Sequence, residues 1–114
     1  MSTYIKLPMI GKYHELFEGY PEKMRDHIQD TEYPDKEEIV KYLKNAFAFA
    51  AKPQCLVDVF SGESIPMESL EMADGSYRWP SELLYYVEKY NLVLPEEFVE
   101  HIHRSKNAPT EPVI

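Results

Sequence analysis

The chain has 114 residues, enough for one domain with a hydrophobic core of its own. Its 12 basic and 20 acidic residues give a net charge of −8, which disfavours nucleic acid and anionic membranes as partners and favours a basic protein. The hydrophobic content of 44% excludes a disordered chain, and the single cysteine, Cys55, excludes an intramolecular disulfide and a multi-cysteine metal site.

The first 34 residues carry a weaker structural signal than the rest of the chain. Apolar residues between Tyr13 and Tyr20 approximate helical spacing, and Pro21 is a suitable start for a second short helix that reaches Gln29. This part of the chain is acidic. From His14 to Glu38 there are nine acidic and three basic residues, a balance of −6.

The clearest helix is predicted from Asp35 to Ala51. Asp35 is a favourable N-cap residue, and Glu38 lies three positions later, where a capping box places its acidic partner. Pro53 ends the helix because proline disfavours helical backbone at the residue before it. The predicted apolar face comprises Ile39, Val40, Leu43, Ala46, Phe47 and Ala50.

After Pro53 the hydrophobic period changes from about 3.6 residues to about 2, which predicts strands. Cys55 falls in the first predicted strand beside apolar neighbours, so we expect its side chain to be buried. Asp74 and Gly75 suit a two-residue hairpin loop, because both residue types tolerate positive φ better than most. The predicted strands cover 55–60, 69–73 and 76–79, with a turn at 61–63 that leads to Ser64-Ile65, and they form a small antiparallel meander of about three strands.

Two further helices are predicted, from Pro80 to about Asn91 and from Pro95 to Arg104. Each begins with a proline at its first position, where the missing N–H costs nothing. Residues 105–114 are expected to be a flexible tail. The whole pattern predicts an α+β fold, a single domain over residues 1–104 in which about four helices pack around a small antiparallel sheet.

Candidate chemical groups are present without the spacing that catalysis or metal binding requires. His101 and His103 are two residues apart, so on a helix they point about 200° from each other and do not share one metal ion. We interpret them as surface histidines near a helix C-terminus. The acidic pairs Glu37-Glu38 and Glu96-Glu97 are typical of helix starts. We therefore expect no enzyme, no bound metal and no cofactor.

Aromatic residues concentrate between positions 77 and 90, where Trp79 is the only tryptophan of the chain. A stacking surface for single-stranded nucleic acid needs basic residues around it, and this chain is acidic. We expect Trp79 and Tyr86 in the core, and one or two of the others exposed for a protein partner. The cluster consists of Tyr77, Trp79, Tyr85, Tyr86 and Tyr90.

The segment from Asp74 to His101 reads DGSYRWPSELLYYVEKYNLVLPEEFVEH. It resembles a C-terminal pattern of small bacterial proteins, DG-x-W/Y-x-WP-x-x-L-x-YYV-x-x-Y-x-x-x-LP-x-x-F. Some of those proteins resemble immunity proteins, including those of contact-dependent growth inhibition, which bind and block a toxin domain. The resemblance covers the last half of the chain and implies no catalytic residue.

The acidic charge agrees with that resemblance, since toxin domains that attack nucleic acid have a basic active face. We therefore expect an immunity protein that neutralises a basic toxin domain, with a small interaction or regulatory module as the alternative. The toxin-binding residues are predicted to be Glu22, Asp26, Asp30, Glu32 and Asp35. The sequence has no apolar run of the roughly 20 residues that span a bilayer and no signal-peptide pattern, so we expect a cytoplasmic location.

Overall fold

A computed structural model describes residues 7–105. The described chain contains three α-helices, five strands and one turn of 3₁₀ helix at Met24–Asp26. The helices are α1 (Lys36–Asn45), α2 (Glu82–Tyr90) and α3 (Glu96–Ser105). The strands are β1 (Phe47–Ala51), β2 (Leu56–Val57), β3 (Ser64–Ile65), β4 (Leu70–Ala73) and β5 (Arg78–Pro80).

The fold is an α+β single domain with a small antiparallel sheet, as predicted, although it has three α-helices rather than four. The strand order of that sheet is β1-β4-β5, and β2 and β3 form a separate two-stranded sheet. Within the described residues, no helix is long and apolar enough to cross a membrane. The predicted flexible tail lies outside the described residues except for Ser105, which is the last residue of α3.

The prediction that one helix extends to Ala51 was wrong. Helix α1 ends at Asn45, and the backbone of Ala46 is extended, with ψ at 163°. Phe47 and Ala51 lie in strand β1, where they pair with Ala73 and Leu70 of β4. The alanines of this stretch favour a helix locally, but pairing with the edge of β4 outweighs that preference.

The strand predicted at 55–60 is also shorter than expected, and the prediction that Cys55 is buried was wrong. Only Leu56–Val57 is a strand, and Cys55 is exposed. The chain leaves the strand at Asp58, whose carboxylate binds the backbone N–H groups of Phe60 and Ser61 and folds the following residues into a turn. The three-stranded sheet therefore takes β1, and not this segment, as its third strand.

Neither of the two short helices predicted before residue 30 forms as an α-helix. Tyr13 to Tyr20 is a series of turns, and the second segment has only its 3₁₀ turn. The side chain of Glu15 accepts hydrogen bonds from the backbone N–H of Met24 at 2.7 Å and of Arg25 at 3.0 Å. This long-range contact fixes the two segments against each other, and the side chain of Met24 is fully buried.

The tight turn at Asp74 and Gly75 is present, and Gly75 has the positive φ that favoured glycine there, 91°. The turn is two residues longer than predicted, because the ladder between β4 and β5 closes at Ala73 and Arg78. Trp79 and Tyr86 are buried, as predicted, with exposures of 1% and 0%.

Candidate protein-binding face

The turn between β2 and β3 is built around one buried carboxylate. Asp58 is 1% exposed, and its Oδ1 accepts hydrogen bonds from the N–H of Phe60 at 2.8 Å and of Ser61 at 3.0 Å. The N–H of Gly62 donates to the carbonyl oxygen of Asp58 at 2.8 Å, with Gly62 at a positive φ of 78°. The turn is therefore fixed by one side chain at its start and one glycine near its end.

Helix α2 supplies the donors for the other oxygen of Asp58. The hydroxyl groups of Tyr85 and Tyr90 both donate to Oδ2 at 2.7 Å, and the Nζ of Lys89 lies 3.6 Å away. Burial acts to raise the pKa of Asp58, but the hydrogen bonds from the two tyrosines and the two N–H groups outweigh it and hold that pKa below its ordinary value. Asp58 is therefore a buried anion that ties the turn to α2.

This anchored turn presents three apolar side chains to solvent. Val57, Val59 and Phe60 are 52%, 39% and 37% exposed, and we call them the apolar patch. The ring of Phe60 packs edge-on against Tyr90, with 5.0 Å between the ring centroids, and against Tyr86 at 6.0 Å. Because the patch rests on a hydrogen-bonded turn and on the rings of buried Tyr86 and half-buried Tyr90, its side chains lose little freedom on binding a partner.

The predicted acidic surface crosses the C-terminal end of α2. The N–H of Gln29 donates to the carbonyl oxygen of Tyr90 at 3.1 Å, and the N–H of Val93 donates to that of His27 at 2.9 Å. Of the five predicted toxin-binding residues, four are exposed and Asp35 is half-buried. The exposed residues are Glu22, Asp26, Asp30 and Glu32.

Three of these five carboxylates contact a lysine or histidine side chain within the chain. Glu22 pairs with His27 at 3.0 Å, Glu32 with Lys36 at 3.6 Å, and Asp35 with His103 at 2.9 Å. Across residues 7–105, Asp26 and Asp30 pair with no basic side chain. The sequence indicates the excess of acidic residues in this region. It does not reveal which of them contact His27, Lys36 or His103 in the folded chain.

Asp30 connects the acidic segment with the apolar patch. It lines one shallow cleft together with Lys89 and Tyr90 at the end of α2. Lys89 in turn lies 3.6 Å from both Asp58 and Glu63 in the β2–β3 turn. Asp30 and the apolar patch therefore both lie beside Tyr90, a juxtaposition that the sequence did not predict.

The histidines do not form a metal site, and one of them is placed differently from the prediction. His101 is largely buried, and its Nε2 donates to Oδ2 of Asp74 at 2.8 Å. The hydroxyl of Tyr42 donates to the same oxygen, so this network ties α3 and α1 to the β4–β5 turn. His103 lies at the surface between Asp35 and Glu38. Among the described residues, no group of three or more potential ligands could hold a metal ion.

Comparisons of this chain with protein-family models, with curated proteins and with solved structures found no match. The resemblance of residues 74–101 to immunity proteins therefore stays a prediction.

The anchoring of the β2–β3 turn predicts a pH-dependent loss of stability in Asp58→Asn. The lowered pKa of Asp58 stabilises the folded chain above the unfolded-state value of about 3.9, and this contribution is lost as the pH falls through the folded-state value. We expect Asp58→Asn to lower the free energy of unfolding at pH 7 by about 1–3 kcal/mol. The difference from wild type should shrink at pH 3, as measured by urea unfolding.

The exposed acid Asp26 provides the matched control, since Asp26→Asn removes the same charge without breaking the turn. A difference between wild type and Asp58→Asn that is equal at pH 7 and pH 3 would contradict the role assigned to the buried anion.

Proposed function

We propose that this protein is a non-enzymatic immunity protein that binds a basic bacterial toxin domain in the cytoplasm and neutralises it by forming a stoichiometric complex. The observation that carries the proposal is that the exposed acid Asp30 and the apolar patch both lie beside Tyr90. A nuclease is the class of toxin that the charge favours, because its active face has to attract a polyanion.

The composition of this face supports protein binding. Specific interfaces combine an apolar centre, often aromatic, with a polar and charged rim. The apolar patch supplies the centre, with Phe60 as its aromatic side chain, and Asp30 lies toward the rim beside Lys89. The resemblance of residues 74–101 to immunity proteins supports the same proposal from the sequence.

The internal ion pairs identify which acids are suited to a partner. The carboxylates of Glu22, Glu32 and Asp35 already have basic neighbours in the chain, so a partner's lysine or arginine competes with an existing contact. Asp26 and Asp30 are exposed and carry no such neighbour among residues 7–105. We therefore assign the largest electrostatic role to these two residues.

Co-purification of the tagged full chain from its native host tests the proposal. We expect one basic toxin-like protein at near-equal stoichiometry, retained at low salt and released in part as salt is raised, because the rim charges are screened. Recovery of an acidic or neutral partner, or of no partner at any salt concentration, would contradict the proposal. The purified partner should lose its activity when the chain is added back at one equivalent.

Charge reversal at Asp30 should slow association with the toxin. We expect Asp30→Lys to lower the association rate constant several-fold at low ionic strength and to have little effect at 1 M salt, where screening is nearly complete. Surface plasmon resonance at two salt concentrations measures this difference. Glu68→Lys is the matched control, because Glu68 is an exposed acid outside the proposed face. Equal slowing by both variants would show that only net charge matters.

Truncation of Phe60 should act on dissociation instead. Aromatic residues at the centre of an interface commonly contribute 1 kcal/mol or more, and such losses are expressed mostly in the dissociation rate. We expect Phe60→Ala to raise the dissociation rate constant roughly tenfold or more at any salt concentration. Met67→Ala is the control, since Met67 is a half-buried apolar residue beside Glu68, outside the proposed face. An unchanged dissociation rate in Phe60→Ala would remove the patch from the interface.

A further inference from the structure

The central strand of the three-stranded sheet carries a carboxylate that is only half satisfied. Glu71, on β4, is 7% exposed, and its Oε1 accepts a hydrogen bond from the Nζ of Lys52 at 2.7 Å. Its Oε2 is also buried, and no group among the described residues donates a hydrogen bond to it. Buried carboxylate oxygens without a donor are rare in folded proteins, because desolvation of a charged oxygen is expensive.

This carboxylate lines a cleft with a volume of about 220 Å³. The wall of the cleft also contains the ring of Phe17, the side chain of Lys52 and the carboxyl group of Glu82, the first residue of α2. The Nζ of Lys52 lies 5.9 Å from the centre of the Phe17 ring. The cleft therefore combines an aromatic wall with two carboxyl groups and one ammonium group.

The charges of this cleft do not balance. Lys52 neutralises one carboxylate, and the second carboxylate leaves an excess of one negative charge. Burial raises the pKa of Glu82 above its ordinary value, and the charge of Glu71 adds to that effect while Lys52 opposes it. A second cation in the cleft would offset the excess negative charge beside Glu71 and favour the ionised form of Glu82.

We propose that this cleft binds one guanidinium group between Glu71 and Glu82. A guanidinium is planar, has five N–H donors in a fixed fork that matches carboxylates, and stacks on aromatic rings such as Phe17. A primary ammonium is more strongly hydrated and is harder to transfer into a half-closed cleft. A metal ion is a poor fit, because the described residues include no group of three potential ligands.

The guanidinium can come from an arginine side chain of a protein partner or from a free molecule. Arginine from the proposed toxin is the source favoured here, an assignment that rests on the proposed function. The binding of the group itself does not depend on that function, because it follows from the cleft alone.

Titration of the full chain with N-methylguanidinium chloride, followed by NMR at the backbone amides, tests the inference. We expect saturable shifts centred on Glu71, Gln54 and Glu82, and at least tenfold weaker binding of methylammonium chloride. Glu71→Gln should weaken N-methylguanidinium binding at least tenfold, whereas Glu68→Gln, at an exposed position, should leave it unchanged. If Glu71→Gln does not fold, Glu82→Gln serves as the second variant with the same expected loss.

Non-saturable shifts, or equal affinity for the two cations, would overturn the inference, as would unchanged binding in a folded Glu71→Gln or Glu82→Gln variant. Free L-arginine separates the two sources. Affinity at least tenfold above that of N-methylguanidinium would show that the α-amino and carboxylate groups are recognised and would identify a free ligand, whereas equal affinities support a protein side chain. Because no partner protein is present in the titration, a failed co-purification and a failed titration remain distinguishable.

Discussion

Two buried aspartates hold the turns of this protein against its helices. The side chains of Asp58 and Asp74 have 0% exposure, and an anion removed from water needs donors on both oxygens. Each aspartate uses Oδ1 to accept two backbone N–H groups of the turn that follows it, and Oδ2 to accept two donors from helices. These helix donors are Tyr85 and Tyr90 for Asp58, and Tyr42 and His101 for Asp74. The turn after Asp58, in the two-stranded sheet, is thereby tied to α2. The turn after Asp74, in the three-stranded sheet, is tied to α1 and α3.

Glu71 does not have donors on both carboxylate oxygens, and this difference from the two aspartates is the basis of the proposed ligand site. It is buried like the two aspartates, but it precedes no turn and receives a single donor, from Lys52. Both oxygens of each aspartate accept hydrogen bonds within the fold, so these carboxylates need no donor from a partner. The unmet requirement of Glu71, together with its place in the wall of a cleft, is the basis of the proposed guanidinium site.

The parts of the fold that follow from local sequence were predictable, and those that depend on distant pairing were not. The start of α3 and the turn at Asp74 each have residues whose chemistry fixes the local backbone, so the sequence located both, although the turn is two residues longer than predicted. Strand β1 was missed because its alanines favour a helix and only β4, about twenty residues later, makes it a strand. The role of Asp58 was missed for the same reason, since both its tyrosine donors lie 27 or more positions away.

The candidate face also combines features that the sequence reveals directly with features that depend on distant contacts. The sequence was sufficient to locate the acidic segment and to select five of its residues, because charged residues are identified directly in a sequence. It gave no sign that Glu22, Glu32 and Asp35 contact lysine or histidine side chains inside the chain. Under the proposed function, the long-range field speeds the approach of a basic partner, while selection among such partners depends on the few exposed acids and on the apolar patch. Acidic charge alone would then not explain specificity, and the proposal requires the fixed geometry that Asp58 gives to the patch.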